Sequence, residues 1–146
     1  LFLATLIEDN EKFNTKTMPE HTYPGTVYVE HAMEYIKHHY REKIKINELA
    51  EYIGINRSYL TNMFKKTIGC SPQEYLVEFR MEKAKNLLKN TDMPINAVAA
   101  AVGYQDQLAF SKIFKQNFTV SPKEYRKAKE ELQLGTVKGD FTASHL

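Results

Sequence analysis

Apolar residues recur at helical spacing through most of the chain. Val29, Ala32, Met33, Ile36 and Tyr40 form one stripe and predict a helix over 27–40. The same reading places further helices at about 48–53, 57–66, 72–89, 97–102, 107–117 and 122–130, and nothing between residues 40 and 131 alternates like a strand. The fold class expected is all-α, with about seven helices. Before this block, Leu3, Leu6 and Ile7 suggest the end of an upstream helix, and residues 8–25 turn polar with Pro19, Pro24 and Gly25 as breakers. Residues 1–25 are therefore expected to be the end of an upstream domain plus a linker, and residues 26–130 the main module. The stretch 131–146, with Gly135, Gly139 and few large apolar side chains, reads as a flexible tail.

Within the module the chain repeats itself. The run from Ile46 to Gly54 lies over the run from Ile95 to Gly103 at an offset of 49, sharing Ile, Asn, Ala and Gly. One extra residue in the turn shifts the offset to 50, after which Phe64-Lys65 falls on Phe114-Lys115, Ser71-Pro72 on Ser121-Pro122, and Glu74-Tyr75 on Glu124-Tyr125. Each copy is a short helix, a turn with Gly, a second helix and a capped third helix, which is the build of a helix-turn-helix. Asn47 and Asn96 are candidate N-caps for the first helices. Gly54 and Gly103 stand where a left-handed residue ends them. Ser71-Pro-Gln-Glu74 and Ser121-Pro-Lys-Glu124 are capping boxes with Pro at the first helical position, so each third helix starts sharply.

The second helix of each copy divides into two faces. Leu60, Met63 and Phe64 form a core stripe opposite Ser58, Thr61, Asn62 and Lys65; in the second copy Phe110, Ile113 and Phe114 oppose Leu108, Ser111, Lys112 and Lys115, with Gln107 beside them. Short polar side chains mixed with cations suit a helix lying in a major groove, where Asn, Gln and Ser reach base edges and Lys reaches phosphates. A solvated surface would explain one such face, but the same division in two copies weighs against it. The helix between the copies, 18 residues from Pro72 to Lys89, would be about 27 Å long, against roughly 34 Å between successive major-groove faces.

Charge changes meaning once it is divided. The whole chain carries a net charge of only +2, but residues 26–130 hold 17 Lys and Arg against 12 Asp and Glu, a net +5, flanked by acidic pieces. Cys70 is the only cysteine, which excludes an internal disulfide and a Cys-based zinc site. No apolar run approaches the roughly 18 residues of a membrane span, and the opening LFLATLIEDNEKF lacks a basic secretory n-region. A soluble, cytoplasmic protein with no membrane partner is expected.

The residues then reach a family. The block 46–75, the run from Tyr75 to Leu88, and above all Ile95-Asn-Ala-Val-Ala99, Val102-Gly-Tyr104, Phe110-Ser-Lys-Ile-Phe-Lys115 and Ser121-Pro-Lys-Glu-Tyr-Arg126 closely resemble the DNA-binding domain of AraC/XylS-type bacterial transcription regulators. The resemblance covers roughly residues 27–128. It departs where Thr119 stands in place of a usual Gly, where Tyr104 replaces a frequent Phe, and where Leu108 puts an aliphatic at an often polar groove-facing position that favours a thymine methyl. The resemblance implies two helix-turn-helix subdomains joined by a long linker helix, with the second helix of each entering the major groove of double-stranded DNA. Carried over by position, the base-contact candidates are Ser58, Thr61, Asn62, Gln107, Leu108, Ser111 and Lys112. Arg57, Lys65, Lys66 and Lys115 are candidates for the DNA backbone, together with the helix starts near Asn47 and Asn96. The resemblance also implies a preceding domain that binds a small-molecule, sugar-like effector and forms a homodimer, and recruitment of RNA polymerase by the DNA-bound form. A stand-alone regulator and an all-α protein-interaction module are the alternatives.

Other constellations carry less. His31, His38 and His39 lie on the first helix without Cys or clustered carboxylates and read as solvated side chains, so no metal is expected. Cys70 reads as structural. No phosphate loop, nucleophile motif or carboxylate pair points to an enzyme or a cofactor.

Overall fold

In a computed structural model, residues 25–143 are described, with side chains to residue 134. Residues 1–24, where the upstream helix and linker are expected, lie outside them. Seven helices and no strand occur among the described residues: α1 (Thr26–His39), α2 (Ile46–Ile53), α3 (Arg57–Ile68), α4 (Pro72–Asn90), α5 (Ile95–Ala101), α6 (Gln107–Phe118) and α7 (Pro122–Ala143). None is long and apolar enough to cross a membrane. The chain divides into two compact units at Glu82/Lys83, inside the continuous helix α4.

In the first unit, α1 contributes Val29, Ala32, Met33 and Ile36, α2 contributes Ile46, Leu49 and Ala50, α3 contributes Leu60, Met63 and Phe64, and α4 contributes Tyr75, Leu76 and Phe79 to one core. Phe64 meets Tyr75 edge-on, with ring centroids 5.5 Å apart, which ties α3 to α4. Of the stripe expected on the first helix, Val29, Ala32, Met33 and Ile36 are buried, whereas Tyr40 is half-buried and lies just past the end of α1. The second unit buries Ala84, Leu88, Val98, Ala99, Val102, Phe110 and Phe114. Its aromatic rings run in series, Tyr104 to Phe110 to Phe114, and Phe114 meets both Phe118 and Tyr125 edge-on.

The helix ends show where local sequence decides and where it does not. Both capping boxes form with matching geometry: Glu74 N–H donates to Ser71 Oγ and Glu124 N–H to Ser121 Oγ, each at 3.1 Å, and the serine N–H groups donate back to the glutamate carboxylates at 3.4 Å. Gly54 adopts φ 89° at the end of α2, and Ile55 N–H closes the helix on Ala50 O; Tyr104 N–H does the same to Ala99 O in the second copy. The candidate N-caps Asn47 and Asn96 are corrected. α2 and α5 begin one residue earlier, at Ile46 and Ile95, so the caps are Lys45 and Pro94, neither of which makes a side-chain capping bond. The apolar Ile46, buried to 7% exposure, draws the first turn onto the core and puts Asn47 inside the helix. Asn96 Oδ1 accepts from the adjacent Ala97 N–H at 3.0 Å.

Two arginines perform parallel tasks that the sequence pattern does not reveal. Arg80 of α4, only 8% exposed, donates from Nε to Tyr40 O at 2.8 Å and from Nη2 to Glu42 O at 2.7 Å, satisfying carbonyls beyond the end of α1. Arg126 of α7 donates to Leu88 O, in the last turn of α4, at 3.1 Å. In each unit the helix preceding the helix-turn-helix is thus finished by an arginine from the helix that follows it. α7 itself continues past Glu130, where the expected helix stops, to Ala143. Residues 127–134 are good helix formers with no breaker among them, and Leu132 and Leu134 stand exposed.

Candidate nucleic-acid interface

Each copy presents its second helix in the same way. α3 starts at Arg57 because Asn56 Oδ1 accepts from Ser58 N–H at 2.7 Å, and α6 starts at Gln107 because Asp106 Oδ1 accepts from Leu108 N–H at 3.0 Å. These caps, Asn56 and Asp106, occupy equivalent positions at the offset of 50, and an Asn or Asp directly before each second helix is the signal that marks them. Leu60 and Phe64, and at the same register Phe110 and Phe114, are fully buried and fix which side of each helix faces inward.

The opposite sides carry the predicted residues. Ser58, Asn62, Lys65 and Lys66 are exposed on α3, with Thr61 half-buried between them; Gln107, Leu108, Lys112 and Lys115 are exposed on α6, with Ser111 half-buried. Thr61 and Ser111 are equivalent positions, so the match extends to the degree of burial. The two copies differ in chemistry. Ser58 and Asn62 of the first correspond to Leu108 and Lys112 of the second, and Leu108 is 80% exposed. Tyr59 packs edge-on to Tyr28 of α1, with centroids 6.1 Å apart, which places its ring at the rim of the first core.

Asn47 has a different part from the one its spacing suggested. Its Oδ1 accepts from Arg57 Nη1 at 3.2 Å, linking α2 to the first residue of α3 and orienting the guanidinium across the turn. Position 107, the counterpart of Arg57, holds the neutral Gln107, so this arrangement belongs to the first copy by residue type. The basic side chains Lys65 and Lys66 sit in the last turn of α3, and Lys115 in the last turn of α6. Neither α2 nor α5 has a side-chain cap at its N-terminus.

Potential reactive groups lie elsewhere. Cys70 is half-buried in the turn after α3, and burial first, then the carboxylates of Glu78 and Glu74, push its thiol up from 9.0 to about 11. His39 stacks on Tyr35 and lies 3.3 Å from Glu42. No group of three or more His, Cys, Asp or Glu side chains suited to a metal ion occurs among the described residues.

A pair of short helices, each followed by a turn and a second helix with a buried apolar stripe and an outer face carrying polar and basic side chains, defines a helix-turn-helix DNA-binding domain, and the helix-turn-helix domain family matches residues 49–128. The chain belongs to the AraC/XylS-type branch of these proteins. It is 42% identical over 98 residues to the lactose operon transcription activator of Staphylococcus xylosus, a match covering 67% of this chain and 35% of that protein. The C-terminal domain of AraT, a response regulator from Geobacillus stearothermophilus, superposes with a TM-score of 0.67 at 37% identity, covering 69% of this chain and 84% of that one. The DNA-binding domain of AdpA, a global transcriptional factor solved in complex with a target DNA, superposes with a TM-score of 0.64 at 25% identity, covering 69% and 90%. The chain therefore spans about a third of the length of the lactose operon activator.

Proposed function

We propose that this chain is the DNA-reading part of a longer transcription regulator and that it places α3 and α6 in successive major grooves of one duplex. The observation carrying this reading is the repeated outer face: four positions at i, i+3, i+4 and i+7 on each second helix, polar, cationic or aliphatic, exposed except for the half-buried Thr61 and Ser111, opposite buried apolar side chains at the same register. In this reading Ser58, Thr61, Asn62, Gln107, Leu108, Ser111 and Lys112 meet base edges, while Arg57, Lys65, Lys66 and Lys115 meet phosphates. Asn47 acts through Arg57, by holding it, and Asn96 lies in the first turn of α5, whose N-terminus has no side-chain cap.

The lactose operon activator supports a regulator of a sugar operon; the proposal adds a sugar-like effector acting on a further domain that forms the homodimer, and engagement of RNA polymerase by the DNA-bound form. Selection of duplexes from a random pool by this chain tests the core of the proposal. Two short motifs one helical turn apart, about 10 base pairs, are expected; a single motif would remove the second copy from base reading, and no salt-dependent duplex binding would favour a protein-interaction module.

A further inference from the structure

We infer that Leu108 makes the second copy a reader of a pyrimidine C5 methyl group, so that the half-site under α6 contains a thymine recognised by its methyl and the half-site under α3 is read by hydrogen bonds instead. This rests on the proposed function, in which α6 enters a major groove. An exposed leucine alone is ordinary on a protein surface. Leu108, however, is the most exposed large hydrophobic side chain among the described residues, at 80%, and it occupies the first turn of α6, the part of such a helix that approaches base edges. The bond from its own N–H to Asp106 Oδ1 fixes the backbone that carries it. Ser111, Lys112 and Lys115 follow on the same face at i+3, i+4 and i+7.

The chemistry of the groove floor then selects the partner. Of the groups that distinguish base pairs there, all but one are hydrogen-bond donors or acceptors, and an aliphatic side chain pressed against such a group strips its water without replacing the bond. The exception is the C5 methyl of thymine, which 5-methylcytosine shares. Ser58, also exposed and with its N–H bonded to the cap at the corresponding position of α3, offers a hydroxyl to the other half-site. Among the differences between the copies, the pair Ser58 and Leu108 is the one that exchanges a hydrogen-bonding side chain for an aliphatic one.

The test begins with a duplex selected by the chain from a random pool. Each thymine is replaced in turn by deoxyuridine, which deletes the methyl and leaves base pairing intact, and each cytosine by 5-methylcytosine. One uracil position in one half-site is expected to weaken binding about fourfold, the equivalent of one buried methyl group. Leu108→Ser, which sacrifices no core packing, is expected to bind the thymine and uracil duplexes equally. Indifference to every uracil substitution, or a uracil penalty that persists in Leu108→Ser, would overturn the inference and leave the DNA-reading function standing. Failure of the chain to select any duplex would remove that function, and the inference with it.

Discussion

Thr119 offers a direct test of how the repeat stores and avoids strain. α3 ends on Gly69 at φ 91° and α6 ends on Thr119 at φ 66°, at positions 50 residues apart with the same bond back, from Gly69 N–H to Lys65 O and from Thr119 N–H to Lys115 O. Thr119 is the single non-glycine residue with positive φ among the described residues. A left-handed conformation costs an L-residue about 1–2 kcal/mol, and a β-branched side chain is poorly suited to it. Thr119→Gly removes that cost, adds about 0.5–1 kcal/mol of glycine chain entropy, and loses the exposed 2.6 Å bond from Thr119 Oγ1 to Phe118 O, whose net worth is about 0.5 kcal/mol. The balance lies between no net change and a gain of about 1 kcal/mol. For a module of this size the upper end corresponds to a rise in Tm of up to about 8 °C, measured by circular dichroism at 222 nm. Gly69→Thr is the mirror experiment. A Cβ at Gly69 would meet nothing within 4 Å, so the loss would come from the backbone alone, about 1 kcal/mol. A Thr119→Gly variant that melts no higher than the parent, combined with a harmless Gly69→Thr, would refute the assignment of strain to this turn.

Asn62→Ala is expected to relax base preference in the first half-site at a cost of about 1–3 kcal/mol on the preferred sequence; equal losses on specific and random duplexes would remove it from base reading. Lys65→Ala should weaken all duplexes alike and make the salt slope shallower by about one unit, which titrations at several salt concentrations would show. Arg80→Met should destabilise the first unit by about 2–4 kcal/mol in urea melts, since it strands two carbonyls that now accept charge-assisted bonds; a change within 0.5 kcal/mol, the ~0.5 typical of surface sites, would contradict that role. The thiol of Cys70, raised to about 11, and the phenol of Tyr75, raised to about 12, both hold their protons more tightly in the folded chain. Their contribution to stability is present below the unfolded values of about 9 and 10 and is lost as pH climbs through 11 and 12. Alkaline melts of Cys70→Ser against the parent should therefore converge below pH 9 in slope and separate above it, and alkylation of Cys70 at pH 8 should be slow until the chain unfolds.

The local features of this domain were legible because they are local. The starts of α3 at Arg57 and of α6 at Gln107, the two capping boxes, the alternation of Leu60 and Phe64 with Ser58 and Asn62, and the family signature around Phe110 to Lys115 all depend on spacing within a turn or two, or on the comparison of one copy with the other. What the chain alone determined is thus the number and kind of helices, their inward faces and the identity of the exposed side chains. Tertiary structure decided the rest. Asn47 looks like a cap by its position in the sequence, but burial of Ile46 starts the helix earlier and frees the amide to hold Arg57. Arg80 looks like one more helix cation, yet it is buried against carbonyls 38 and 40 residues away. The physical reason is that spacing along a helix fixes direction, whereas the partner a polar group finds depends on desolvation and on what a distant segment leaves unsatisfied.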